Sequence, residues 1–230
     1  SNHGGINISY IDDDRVIKDV PIIKLLGLIN IRFMYAAGKI KWNLSYWNKF
    51  YDGILCYGSY YEKLFKRRHN IPTAQMGYPR FDKYFDPGFN KKYLIRNYNC
   101  SQHKKTIVWL PTYTNLSSVE SFIERIASLL LNYNVVVKPH PLMKENDPEN
   151  YFKLFNHQFN FVVQDDEDNL PLYALADLML FDYGGPMFGS LYLKNNFAFL
   201  DLKLEARNHV HLGNKSSEDY FKSFFADRVA

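Results

Sequence analysis

Only two cysteines, Cys56 and Cys100, occur in 230 residues. Two thiols cannot form a disulfide framework, so the fold rests on its core and a reducing compartment is indicated. The chain contains no Cys-x-x-Cys, no His-Glu-x-x-His and no Gly-x-x-x-x-Gly-Lys-Ser/Thr, which argues against zinc sites and P-loop phosphate chemistry. His209-x-His211 has no evident third ligand, so no metal centre is expected. No charge-free apolar run reaches the roughly 18 residues of a membrane span, and no signal-peptide pattern is evident. A large charge of either sign is missing too: 28 Lys+Arg against 24 Asp+Glu leaves +4. That balance suits anionic small ligands or an anionic membrane surface, and no nucleic-acid partner is expected.

The composition that remains is globular, 47% hydrophobic and 23% charged, enough to build one large core or two small ones. From Thr106 onward, strands and helices alternate. Thr106–Leu110, Val135–Val137, Phe159–Val163, Leu178–Phe181 and Phe197–Leu200 read as strands. Ser117 is expected to cap a helix, with Glu120 completing a capping box and Phe122, Ile123, Ile126, Leu129 and Leu130 on its apolar face. Further helices are expected over Pro148–Asn156, Leu170–Leu175 and from Pro186 to about Lys194. The acidic run Asp165–Asp168 reads as a solvated cap before Leu170. Such alternation predicts a doubly wound parallel α/β sheet.

The first half has the same character but is sparser: strands at Asn7–Ile11, Gly53–Tyr57 and Thr73–Met76, and a helix over Tyr60–Arg68. We therefore expect a partial α/β domain over 1–85, a polar linker over 86–105 and a second α/β domain over 106–230. Pro21–Trp47 is apolar but carries Lys24, Arg32, Lys39 and Lys41 and ends in aromatics. It reads either as a helix lying in a membrane interface or as a core helix with snorkelling lysines.

Ligands of parallel α/β sheets bind at the carboxyl ends of the strands, which directs attention to the residues that follow each one. After Phe181 come Asp182, Tyr183, Gly184, Gly185 and Pro186. The glycines allow close backbone approach, Pro186 suits a first helical turn, and the helix N-terminus offers donors to an anion. An ordinary tight turn is the competing reading. After Val137 come Lys138 and His140, the latter framed by two prolines that hold the imidazole in place; it is suited to donate to a phosphate or act as an acid. Lysines at strand ends are usually solvated. Thr112 follows Leu110, and Arg80 and Asp82 follow Met76. His3 lies among glycines that permit close substrate approach, or is merely part of a chain end. His69, His103, His157, His209 and His211 read as surface residues.

The segments HGG, GYPRFD, VWLPTYT, VVKPHP and ADLMLFDYGGPMFGSLYLKN, in this order, resemble the CDP-glycerol glycerophosphotransferase family of teichoic-acid primases and polymerases, from His3 to about Asp201. The resemblance implies a glycosyltransferase-B-type fold of two Rossmann-like domains with the active site in the cleft between them. The first domain would be the acceptor side, with its early strands absent, and the second would bind the nucleotide donor. The implied donor is a CDP-alditol and the implied acceptor a polymer or lipid-linked species. The implied location is cytoplasmic, peripheral on the inner face of a bacterial membrane, with no cofactor. His3 would be the catalytic base and His140 would bind the donor phosphates, with Thr112, Lys138, Asp182, Tyr183, Gly184 and Gly185 around the donor and Arg80 and Asp82 near the hinge. An Asp-Tyr-Ser-Ser segment of the family becomes Asp182-Tyr183-Gly184-Gly185 here, and an acidic residue becomes Gly189. Backbone amides would have to replace the lost hydroxyls. Two other readings stay open: a nucleotide-sugar glycosyltransferase or epimerase of the same fold, and a catalytically silent binding domain.

Overall fold

The computed structural model describes residues 28–34, 37, 43–86, 89–164, 167–182 and 185–200. The chain divides into two compact units, Ser1–Arg80 and Phe81–Ala230.

In the first unit three parallel strands, β1 (Ile31–Phe33), β2 (Gly53–Cys56) and β3 (Thr73–Gln75), form a sheet in that order, with helix α1 (Ser59–His69) between β2 and β3. Ile54, Cys56, Tyr61, Phe65 and Ile71 bury together as its core. The single helix expected across Pro21–Trp47 is not found where that stretch is described. Ile31–Phe33 is a strand, and Tyr46–Phe50 is a short 3-10 helix. The physical reason lies in the spacing: Ile29, Ile31 and Phe33 alternate with period two, which is strand periodicity. Arg32 faces inward and is buried instead of snorkelling. The remainder of the stretch, and the strand expected at Asn7–Ile11, fall outside the described residues.

The second unit opens with a 3-10 helix over Pro79–Phe85, which begins within the first, and helix α2 (Lys91–Asn97). The stretch 86–105 is therefore more than a linker. Asn90 caps α2 through a bond from Lys92 N at 2.9 Å, and Leu94 and Tyr98 are buried. Asn134 holds the following loop, accepting from Ser101 N and donating to Ser101 O, both at 2.8 Å. Then follow β4 (Thr106–Leu110), α3 (Val119–Ser128), β5 (Asn134–Val137), α4 (Met143–Asn146), α5 (Pro148–Asn156), β6 (Phe161–Val162), α6 (Leu170–Leu175), β7 (Leu178–Phe181), α7 (Pro186–Leu193) and β8 (Phe197–Phe199).

The five strands are all parallel, in the order β6-β5-β4-β7-β8. Every residue of β4 and β5 is buried, as expected of strands covered on both faces. On one face Ile107, Trp109, Val135 and Val137 meet Ile123 and Ile126 of α3 and Tyr151 and Leu154 of α5. Alternation sends Val108 and Met179 to the other face, where buried Leu172, Leu175 and Met187 of α6 and α7 cover them. Each such aliphatic side chain contributes about 1.5–3 kcal/mol on leaving water.

The capping box expected at Ser117 does not form. Helix α3 starts later, at Val119, and the Ser118 hydroxyl accepts from Trp109 Nε1 at 3.1 Å. Among the described residues no helix is long and apolar enough to cross a membrane.

Candidate functional site

With the order β6-β5-β4-β7-β8 the chain winds outward from β4 through β5, then returns to β4's other side at β7. The topological switch point lies between β4 and β7, where doubly wound sheets hold their ligands. Adjacent strands are about 4.8 Å apart, so the loops after β5, β4 and β7 emerge side by side. They carry Lys138 and His140, Thr112 and Tyr113, and Asp182 and Gly185 respectively.

Asp182 directly follows β7 and is wholly buried. Its Oδ2 accepts from Thr112 N at 2.9 Å and from Ser118 N at 2.9 Å. One carboxylate thus holds both the loop after β4 and the entry to α3. This satisfies two backbone donors that would otherwise be orphaned at the switch point. The side chain is oriented toward those loops, so its contribution to the crevice is to shape it.

His140 follows β5, on the other side of β4 from β7, and is partly exposed. Its Nδ1 accepts from Leu142 N at 3.1 Å and its carbonyl accepts from Met143 N at 2.8 Å. With Nδ1 engaged as an acceptor, the neutral ring carries its proton on Nε2, a donor suited to a phosphate oxygen. The Tyr113 ring flanks the imidazole, centroids 4.6 Å apart and tilted by 40°. Tyr113 stands next to Thr112 in the same turn, and its pairing with His140 has no local sequence signal. Lys138 differs from expectation: it is only 5% exposed, since its backbone N extends the ladder to Trp109 O at 3.0 Å and keeps the residue inside the sheet edge. Thr112 is also buried.

Gly185 is the N-cap of α7, with φ −61° and ψ −31°. This is ordinary right-handed backbone, so the residue is not glycine for conformational reasons, and an added Cβ would meet nothing within 4 Å. The space at that Cβ position is open. Behind it packing is tight. A Cβ at Gly189 would come within 2.6 Å of the Tyr173 hydroxyl and 2.8 Å of Phe81 Cζ. Tyr173 donates to Pro186 O at 2.6 Å, and the Phe81 and Tyr173 rings meet edge-on, centroids 5.5 Å apart. Gly189 therefore leaves room for a tyrosine that fastens the first turn of α7.

Of the other expected site residues, Arg80 and Asp82 are exposed in the 3-10 turn. The unit division falls directly after Arg80 instead of at 85. His3, Tyr183 and Gly184 lie outside the described residues. Among the described residues no group of three or more His, Cys, Asp or Glu is placed to hold a metal ion.

Residues 23–204 match the family described as CDP-glycerol:poly(glycerophosphate) glycerophosphotransferase. The fold resembles the wall teichoic acid polymerase TagF, at 20% identity and a TM-score of 0.50, covering 70% of this chain and 41% of that one. It also resembles a TagF variant soaked with CDPG, at 21% identity and a TM-score of 0.54, covering 74% of this chain and 42% of that one. The chain thus spans less than half the length of either structure, and its parallel sheets have the glycosyltransferase-B-type fold. No curated protein matches closely enough to count as a relative.

Proposed function

Since the chain belongs to the CDP-glycerol:poly(glycerophosphate) glycerophosphotransferase family, we propose that it transfers an alditol phosphate from a CDP-activated donor to a surface-polymer acceptor. The observation that carries this reading is the switch-point crevice of the second unit. There His140, the Thr112 loop and the N-terminus of α7 follow neighbouring strands at one sheet edge, with room for a Cβ at Gly185. His140 and the N-terminus of α7 offer neutral and backbone donors of the kind that hold a pyrophosphate, while Thr112 N is held by Asp182 and fixes the loop between them.

In the reaction an acceptor hydroxyl oxygen attacks the phosphorus next to the alditol. A new P–O bond forms, the pyrophosphate P–O bond breaks, and CMP leaves with the electron pair. His140 Nε2–H and the backbone N–H groups at the N-terminus of α7 stabilise the charge that builds on the leaving phosphate. The attacking hydroxyl loses its proton to a base, the role we assign to His3. Lys138 is assigned a charge-supplying role near the donor phosphates, Thr112 and Asp182 shape the strand-end loops, and Tyr183 and Gly184 keep the donor-side role that the resemblance implies. Arg80 and Asp82 keep the hinge-side role that the resemblance implies. The polymeric acceptor puts the chain at the cytoplasmic face of the membrane as a peripheral protein; the exposed Leu28, Ile29 and Phe33 support such an attachment.

The test is product release. Incubation with CDP-glycerol and a glycerol-phosphate oligomer should yield CMP, whereas UDP release from UDP-sugars would indicate a glycosyltransferase instead. His140→Ala should weaken CDP-glycerol binding about tenfold, or ~1.4 kcal/mol, with unchanged thermal stability. Undiminished affinity would remove His140 from the site.

A further inference from the structure

The carboxyl edge of the three-stranded sheet in the first unit presents a second set of polar and aromatic groups. The register sets Cys56 beside Gln75, so Tyr57 and the turn from Met76 to Arg80 leave the sheet next to each other. Gly77 has φ 72°, a left-handed conformation in which a Cβ costs about 1–2 kcal/mol. That turn lays Tyr78 over Tyr57, ring centroids 4.0 Å apart and 27° from parallel. The Tyr57 hydroxyl donates to Met34 O at 3.1 Å, just past β1. The stacked pair therefore bridges the ends of all three strands, and neither ring is fully covered.

Two arginines frame the pair. Arg80 is exposed, and its charge acts on both phenols; the charge of buried Arg32 acts on Tyr57. Arg32 is only 6% exposed, donating to Asn43 O at 3.1 Å and to Asn48 Oδ1. Burial lowers its pKa to about 10, which still leaves it charged at neutral pH. Burial raises the pKa of Tyr57 and of Tyr78 despite the arginines, so both phenols keep their protons.

A guanidinium at the surface, a second beneath, two protonated phenols and an aromatic face form a distinctive set. Arginine takes a phosphate through paired N–H bonds. The Tyr78 phenol can donate to a phosphate or hydroxyl oxygen, while Tyr57, whose proton goes to Met34 O, offers its ring face to a carbon skeleton. Polyol units joined by phosphodiesters present all three partners along one strand. We propose that Tyr57, Tyr78 and Arg80, with Arg32 behind them, form a binding subsite for a phosphodiester of an anionic polyol-phosphate chain. Identifying that chain as the acceptor rests on the phosphotransferase reading above; the binding itself does not.

The test is calorimetric titration of the full chain with a synthetic glycerol-phosphate trimer, without CDP-glycerol. Wild type should bind it at millimolar concentration or below, more weakly as salt screens the arginines. Arg80→Gln, an exposed position, should weaken trimer binding at least tenfold while CDP-glycerol affinity stays within twofold. Tyr78→Leu should weaken it likewise. The proposal falls if wild type ignores the trimer, if Arg80→Gln binds it normally, or if Arg80→Gln loses CDP-glycerol equally, which would move Arg80 to the donor site. It also falls if inorganic phosphate at equal phosphate concentration fully displaces the trimer. Should CDP-glycerol not bind wild type while trimer binding still depends on Arg80, the subsite stands and the phosphotransferase reading is what fails.

Discussion

Replacing Asp182 by Asn keeps its shape and removes its charge, which isolates what the carboxylate does at the switch point. Asp182 is 0% exposed and accepts from Thr112 N and Ser118 N, each at 2.9 Å. Hydrogen bonds to a charged group contribute about 1.5–3 kcal/mol and neutral ones about 0.5–1.5. The change therefore removes about 1 kcal/mol per bond, or ~2 kcal/mol in all. Desolvation opposes this, because a neutral amide costs less to bury than a carboxylate. The start of α3 at Val119 adds a partial positive charge that favours the anion by about 0.3–1 kcal/mol. The expected net effect is a destabilisation of about 1–2 kcal/mol. With an m-value of about 2 kcal/mol/M, the urea midpoint should fall by about 0.5–1 M at constant m. Asp182→Ala should be worse, since it strands two buried N–H groups at about 1–3 kcal/mol each. An Asn variant with an unchanged or higher midpoint, or an Ala variant as stable as Asn, would refute the assignment of these two bonds as the carboxylate's purpose.

Gly185→Val should leave stability within about 0.5 kcal/mol, because the backbone is right-handed and a Cβ meets nothing within 4 Å. It should nevertheless lower CDP-glycerol affinity more than tenfold by calorimetry; retained affinity would put the phosphates elsewhere. Gly189→Ala would gain about 1 kcal/mol in an unobstructed helix. Here a Cβ 2.6 Å from the Tyr173 hydroxyl should cost about 1–3 kcal/mol in overpacking, so urea denaturation should show a loss, and a more stable variant would contradict the packing. Asp177 tests the opposite edge of the sheet. Burial pushes its carboxyl up, but the bond from Thr106 N at 2.8 Å and the nearby Lys91 and Lys105 outweigh that and hold its pKa below the ordinary value. A depressed folded-state pKa gives stability that is present above the unfolded value of about 3.9 and lost as pH falls through the folded one. Asp177→Asn should therefore be less stable than wild type at pH 7, and the gap should close as pH drops below about 4; a gap independent of pH would exclude the linkage.

The order of strands and helices after Thr106 is determined by the sequence alone. Its signals are local: continuous apolar runs such as TIVWL and LMLF for strands buried on both faces, and Pro148 and Pro186 at first helical turns. The candidate loops follow from the same pattern, because a parallel sheet has only one ligand-binding edge. Tertiary structure alone decides which way their side chains turn. Asp182 reads as a ligand contact beside two glycines, yet the donors that claim it come from positions 70 and 64 residues earlier. Lys138 reads as a charge beside the donor phosphates or a solvated strand end, and its burial by its place in the ladder has no local signal. The stretch 86–105 reads as a linker because the burial of Leu94 and Tyr98 depends on partners that its own composition does not reveal. Gly189 reads as a missing acid, and only the convergence of Tyr173 and Phe81 on it shows that no side chain fits there. Periodicity and conformational preference act over a few residues, so sequence reports them directly. Burial and hydrogen-bond choice depend on which distant segments the sheet order brings together, and that pairing exists only once the chain has folded.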